Sequence, residues 1–316
     1  MIKLVPMEKK AIPFILNPAA GGGRSLARLN FLLKQIKKLN LSPEIFISRS
    51  EAHLCQLTRE LASENEVLVG IGGDSTFHLM ANEILQAGTK TSLAFIGLGS
   101  SNDIPREFGL LNLKNALLAI KKGRKRAIDV AAILVDGQIV RYVPGQVNIG
   151  LGATVNQYVA SLIFRRPWLR RHQNLSGLLA LSQAYKNKEN SLPLAVETAK
   201  ETYSGDFAIA LFTNIRYWAT GRKIAPLALP DDGLFDLCLI RACSLKSLLV
   251  LALLARKGRH ARNRNILLSQ SNYFRVRSEK KFYLQADGEM VKVSDSPLLI
   301  DYFDLKVIPR ALEIIA

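Results

Sequence analysis

Four short segments carry residue types that can hold or move a phosphate. Gly21-Gly22-Gly23 follows Asn17 and Pro18 and leads into Arg24. Backbone N–H groups without bulky side chains can converge on phosphate oxygens, and a following helix adds its positive end. Gly72-Gly73-Asp74-Ser75-Thr76 adds two hydroxyl donors and a carboxylate able to hold Mg²⁺ or orient a hydroxyl. Gly99-Ser100-Ser101-Asn102-Asp103 repeats the theme. Late in the chain, Asp287-Gly288-Glu289 sets two carboxylates around a glycine, suited to a general base or a metal ligand. Any one of these segments also reads as a tight turn chosen for glycine's left-handed backbone. Three glycine loops at the ends of strands are harder to dismiss. Neither G-x-x-x-x-G-K-[ST] nor a full G-x-G-x-x-G occurs, which excludes a Walker-type site and a dinucleotide fingerprint.

The elements that must position these loops alternate through the first 128 residues. Strands are predicted over 11–17, 44–48, 66–73 and 92–99, with helices over 51–62 and 76–86. Leu26, Leu29, Leu33 and Ile36 form a further helical stripe. Such alternation builds a parallel sheet covered by helices, with ligands beyond the carboxyl ends of its strands. From residue 129 to 316 the texture changes to short alternating segments punctuated by Asp136-Gly137 and Asp232-Gly233, as in an antiparallel β-sandwich. Helical inserts are expected over 158–186 and 244–256. The expected fold is therefore α/β: a three-layer parallel-sheet nucleotide domain (1–128) and an antiparallel β-sandwich lipid-substrate domain (129–316).

NPAAGGGR, GGDST, GLGSSNDIPREFG, VNIGLGATV and ADGE occur in this order. Together they resemble the diacylglycerol kinase catalytic-domain family, which includes bacterial lipid kinases and relatives of sphingosine kinase. The resemblance spans nearly the whole chain. GGDST alone is weak, since NAD kinases share its pattern; the ordered set is specific. The resemblance implies a lipid kinase with its active site between two domains, using ATP and Mg²⁺ on a neutral lipid. It implies ATP against Asn17, Gly21, Gly22, Gly23, Arg24, Ser48, Gly72, Gly73, Asp74, Ser75, Thr76, Ser100 and Asn102. Asp74 would help place metal and γ-phosphate, and Glu289 or Asp287 would deprotonate the lipid hydroxyl. A Mg²⁺ site is implied at LPDDGLFDL, with Asp232 and the carbonyls of Leu229 and Leu234 as ligands. Without the family, Asp231-Asp232-Gly233 is equally a hairpin turn.

The sequence departs from the family pattern at Ser75, where glycine is usual, and at His78-Leu79, where Asn-Glu is usual. Two rival expectations follow: a nucleotide- and membrane-binding protein that kept the fold and lost turnover, or a kinase of a soluble acceptor, as in NAD kinases.

The 316 residues carry a formal net charge of +17 and 48% hydrophobic residues, which gives enough apolar content for a core and points to an anionic partner. The basic segments 164–173 and 255–265 lack acids and adjoin apolar residues, so each reads as a solvated face or as a contact with an anionic membrane. No zinc finger or RNA-binding aromatic signature supports nucleic acid. Cys55, Cys238 and Cys243 are too few for a disulfide framework, and the scattered histidines argue against structural zinc. The expected location is cytoplasmic and peripheral to the membrane, with a homodimer compatible with the sequence.

Overall fold

The computed structural model describes residues 11–293 and 296–316. The chain divides into two compact units. The first comprises Met1–Gly99, Gly109–Arg126 and Glu313–Ala316; the second comprises Ser100–Phe108 and Ala127–Leu312.

In the first unit, β1 (Ile12–Leu16), β2 (Pro43–Ile47), β3 (Val67–Gly72) and β4 (Ser92–Gly97) pair in parallel in the order β2-β1-β3-β4. Strands β1, β3 and β4 are nearly continuous apolar runs, as strands buried on both faces require. The crossovers include α1 (Arg24–Ala27), α2 (Leu29–Lys38), α3 (Glu51–Glu64) and α4 (Asp74–Ala87). After α5 (Asp103–Glu107), which belongs to the second unit, α6 (Leu113–Lys122) returns to the first. Strand order reverses between β1 and β3, so the first two glycine loops leave the sheet at its topological switch point.

The expected stripe beginning at Leu26 holds only in part. The helix breaks after Ala27 and Leu26 is exposed, whereas α2 buries Ile36 as expected, half-buries Leu29 and Leu33, and adds buried Leu32. The end of the chain is fixed to this unit. Ile314 pairs with Leu93, and Glu313 accepts from the Ser92 hydroxyl and pairs with Lys125 at 2.8 Å.

The second unit is built on antiparallel strands: β5 (Lys125–Val135, from Ala127 on), β6 (Gln138–Val143), β7 (Gln146–Gly150), β8 (Leu192–Thr198) and β9 (Thr202–Thr213). Then come β10 (Tyr217–Trp218), β11 (Arg222–Lys223), β12 (Phe235–Arg241), β13 (Ile266–Ser271), β14 (Tyr273–Ala286) and β15 (Glu289–Met290). The long strands β9 and β14 each serve two partners. Their first halves pair with β8 and their second halves with β7, which closes a ring of four strands. Phe207, Phe212, Phe274 and Phe303 fill the interior, with edge-to-face contacts from Phe212 to Phe274 and Phe303.

Strand β12 alternates cleanly: Phe235, Leu237 and Leu239 face this core, whereas Cys238 and Ile240 face a second one. The second core is roofed by α7 (Leu151–Arg165), α8 (Gln173–Lys186) and α9 (Leu245–Ala255). The expected helix over 158–186 is thus two helices, separated by a short 3-10 turn that starts at Pro167, where proline ends α7. None of the described helices is long and apolar enough to cross a membrane.

Candidate active site

In the first unit, backbone rather than side chains forms the candidate phosphate surface. Gly21, Gly22 and Gly23 have φ of 62, 72 and 87°, three successive left-handed residues that side chains would strain. The Asn17 side chain joins this loop to the next: its Nδ2 donates to Thr76 Oγ1 at 3.0 Å while its Oδ1 accepts from Ala19 N at 3.0 Å. Buried Ser25 donates to the Asn17 carbonyl at 2.7 Å. The helix after Gly23 is a single turn, so it brings less dipole than the sequence suggests. The side chain of Arg24 lies outside the described residues.

The second loop opens the 14-residue helix α4, whose N-cap is Gly73 without a side-chain cap. The positive end of a long helix favours an anion. A Cβ on Gly72 would collide with Thr76, and one on Gly73 would lie 3.2 Å from the Gly99 Cα. Close approach, not backbone angle, therefore demands glycine at 72 and favours it at 73. Ser75, in contrast, sits inside the helix and has no left-handed φ, so serine needs no altered backbone there. His78 is buried, with Nε2 3.4 Å from Asn82 Nδ2, which also donates to the His78 carbonyl at 2.9 Å. One turn after the departure from the family pattern, buried Glu83 holds Arg59 at 2.8 and 3.0 Å. Ser48 is buried and donates to the Leu16 carbonyl at 3.2 Å, beneath Asn17.

The third loop is divided: Gly99 touches Gly73, while Ser100 and Asn102 fall in the second unit. Asn102 takes a left-handed φ of 51° and accepts from Arg106 N at 3.0 Å. Next to it, buried Asp103 accepts from Thr220 N at 3.1 Å and Gly221 N at 2.7 Å. These cap a run of left-handed residues, Ala219, Thr220 and Gly221. Burial pushes the Asp103 carboxyl up, while these two N–H groups and Arg106 pull it down. Glu107 accepts from Arg216 N and Nε at 2.9 and 2.8 Å.

Asp287 and Glu289, side by side in sequence, have different surroundings. Asp287 and Gly288 form the two-residue turn between β14 and β15, with φ of 47 and 92°, as an Asp-Gly hairpin of type I′ requires. Asp287 is 3% exposed and accepts from Gln146 N at 2.6 Å and Gly145 N at 3.4 Å. A Cβ on Gly145 would collide with that carboxylate. Gln285 Nε2 donates to the Gly288 carbonyl at 3.0 Å and secures the turn from below. Glu289 is half-buried and pairs with Ala286 through its backbone, while its carboxylate makes no hydrogen bond or ion pair to another described residue.

Asp232 lies in an exposed turn and accepts from Leu234 N at 3.0 Å with one oxygen. Nearby Asp236 is pushed up to about 7 by burial, with the Asp232 charge adding to it. Among the described residues no cluster of three His, Cys, Asp or Glu groups forms. An all-oxygen set of one carboxylate and backbone carbonyls, completed by water, suits Mg²⁺, which keeps much of its hydration. On that donor chemistry Asp232 with the Leu229 and Leu234 carbonyls fits the ion.

Sequence reasoning missed what holds these turns. Fully buried Asp129 accepts from Gly233 N at 2.6 Å and Arg310 N at 2.8 Å. Asn214 donates its Nδ2 to the Asp129 and Pro144 carbonyls at 2.8 and 3.2 Å and its N–H to the Gly145 carbonyl at 2.7 Å. Asn214 thereby links the Asp232 turn to the segment that anchors Asp287. The available signal was Asp129 itself, a single charge within the apolar run of β5.

Residues 11–133 match the diacylglycerol kinase catalytic domain, and residues 145–316 match the YegS C-terminal NAD kinase beta sandwich-like domain. The chain belongs to the family of the YegS C-terminal NAD kinase beta sandwich-like domain, which covers more than half of it, and carries a diacylglycerol kinase catalytic domain ahead of it, in a mixed α/β fold. Among its relatives, the Bacillus subtilis protein named "Putative lipid kinase YtlR" is 26% identical over 88% of this chain and 93% of its own. A diacylglycerol kinase of the same organism is 22% identical, covering 89% of this chain and 90% of the relative. A crystal structure of a Bacillus anthracis diacylglycerol kinase superposes with a TM-score of 0.68 at 16% identity, over 98% of each chain.

Proposed function

We propose that this protein is a lipid kinase that transfers the γ-phosphate of ATP to a hydroxyl of diacylglycerol or a related neutral lipid at an anionic membrane surface. Residues 1–128, read as a three-layer nucleotide domain, take the nucleotide, and residues 129–316 take the lipid. Asn17, the glycines at 21–23 and 72–73, and Thr76 form the phosphate surface in this reading, with Arg24, Ser48, Ser75, Ser100 and Asn102 as further nucleotide contacts. Asp74 orients the phosphates and their metal. Asp232, with the Leu229 and Leu234 carbonyls, holds a Mg²⁺ ion, which supplies positive charge when bound.

The contrast between the two hairpin acids carries the catalytic assignment. Asp287 spends its carboxylate on the Gly145 and Gln146 N–H groups, whereas Glu289 keeps both oxygens unpaired. Glu289 therefore takes the proton of the lipid hydroxyl as its oxygen bonds to the γ-phosphorus and ADP leaves. Asp287 positions the turn. Phosphoryl transfer depends chiefly on positioning and charge neutralisation, which suits rigid, anchored turns. The ordinary helical backbone at Ser75 and the buried place of His78 favour turnover over a degenerate binding protein.

Incubating the purified chain with radiolabelled ATP, Mg²⁺ and mixed micelles of diacylglycerol or a sphingoid base tests the reading, with NAD as a soluble acceptor in parallel. Labelled lipid is expected. Label in NAD alone, or in nothing while a control kinase is active, overturns it.

A further inference from the structure

The helical roof of the second unit has its apolar residues arranged against expectation. Helix α8 turns small residues inward, burying Ser176, Ala180 and Ala184, and leaves Leu175, Leu178 and Leu179 exposed. Helix α9 packs Leu248, Leu251 and Ala255 against the sheet, yet its other side exposes Leu249, Val250 and Leu253. A helix apolar all round belongs in a core or against an apolar partner.

Two connections in this roof carry more. Phe164, 88% exposed, lies in the last turn of α7, and Trp168, 55% exposed, lies in the 3-10 turn that follows. Leu227, 81% exposed, follows Pro226, which packs beside Gly258 just after α9, while its neighbour Ala228 enters the same core as α9. Charge matches this surface. Residues 151–188 contain six Lys or Arg and no Asp or Glu, and so do residues 242–265. Arg165, Arg166, Arg256, Lys257 and Arg259 are exposed. Leucines on a basic helical surface gain nothing from a nucleic-acid backbone, but a bilayer interface buries them while its anionic headgroups meet the cations.

We propose that the layer of α7, α8 and α9 docks this protein onto an anionic lipid bilayer, with Phe164, Trp168 and Leu253 entering the interface. This deepens the lipid-kinase reading and rests on it for its purpose: the layer delivers the enzyme to a substrate that stays in the membrane.

The full chain is sedimented with phosphatidylglycerol–phosphatidylcholine vesicles and with phosphatidylcholine alone. Binding to the first only is expected, together with a blue shift of fluorescence that Trp168→Phe removes. Reversing charge with Arg165→Glu, Arg166→Glu, Lys257→Glu and Arg259→Glu should lower binding at least about tenfold. Phe164→Ser with Leu253→Ser, which leaves charge unchanged, should lower it severalfold. Both variants should melt like wild type and keep its transfer rate on a dispersed short-chain diacylglycerol. Vesicle binding unchanged in either variant overturns the proposal. So does a dimer that Leu253→Ser splits without altering vesicle binding, since a second copy would then cover the face. If no lipid accepts phosphate while binding follows the expected pattern, the kinase reading fails and the docking face stands.

Discussion

The glycine loops of the first unit and the acidic turns of the second are built on opposite principles. In the first, the chain removes side chains: Gly73 and Gly99 nearly touch, and three left-handed glycines follow Ala20. In the second, the chain adds buried polar groups: Asp129 holds the Asp232 turn, Asp287 holds its own hairpin, and Asn214 connects the two. A surface made by removal stays open for an anion to fill. A turn held by a buried carboxylate is already satisfied, and only the acid left over is available for chemistry. The same residue type, aspartate, is thus structural at 129 and 287.

That contrast can be broken at its strongest point first. Asn214→Ala strands the Asp129 and Pro144 carbonyls in a buried site, so stability should fall by about 2–4 kcal/mol in denaturant titration. A loss below about 0.5 kcal/mol would mean that the polar hub does not hold the turns. On the glycine side, Asp74→Asn should cut lipid phosphorylation at least about tenfold with little change in melting temperature, because in the proposed function its charge serves the phosphates and their metal. A loss of stability equal to the loss of rate would place Asp74 with the structural acids.

Gly73→Ala sharpens the comparison. The added methyl would stand 3.2 Å from Gly99, so both loops must give by tenths of an ångström. The KM for ATP should rise severalfold while melting changes little, and an unchanged KM would remove this loop from the nucleotide surface.

A smaller effect concerns pH. Asp236 is held at about 7 by burial and by Asp232, above its ordinary 3.8. A raised carboxyl favours the protonated fold, so its contribution is complete at acid pH and is lost as pH rises through about 7. Relative to Asp236→Asn, wild type should lose about 1–2 kcal/mol between pH 6 and pH 8 in denaturant midpoints. A constant gap between the two proteins would contradict this.

What was legible in the sequence follows the same division. Short contiguous signals survive translation into structure: glycine runs at strand ends, Asp-Gly turns, and alternation in β12 all fall where periodicity and turn chemistry put them. Long-range anchors do not. Asp287 meets Gln146 across 141 positions and Asp129 meets Gly233 across 104, and no local pattern encodes either pairing. Leu26 misleads for a related reason, because a break after Ala27 separates it from the rest of its stripe. Residues 100–108 read as part of the first unit because they follow β4, yet Asp103 and Glu107 bond to residues 216–221 of the second.

The assignment of one acid to chemistry and its neighbour to architecture is tested most directly by rates of lipid phosphorylation in Asp287→Asn and Glu289→Gln. Asparagine keeps an oxygen for the Gln146 N–H and tolerates a left-handed φ, so Asp287→Asn should stay within about fivefold of wild type. Glu289→Gln keeps the shape and loses the base, so its rate should fall at least about tenfold with ATP binding intact. A near-normal Glu289→Gln beside an inactive Asp287→Asn would reverse the two roles and contradict the account.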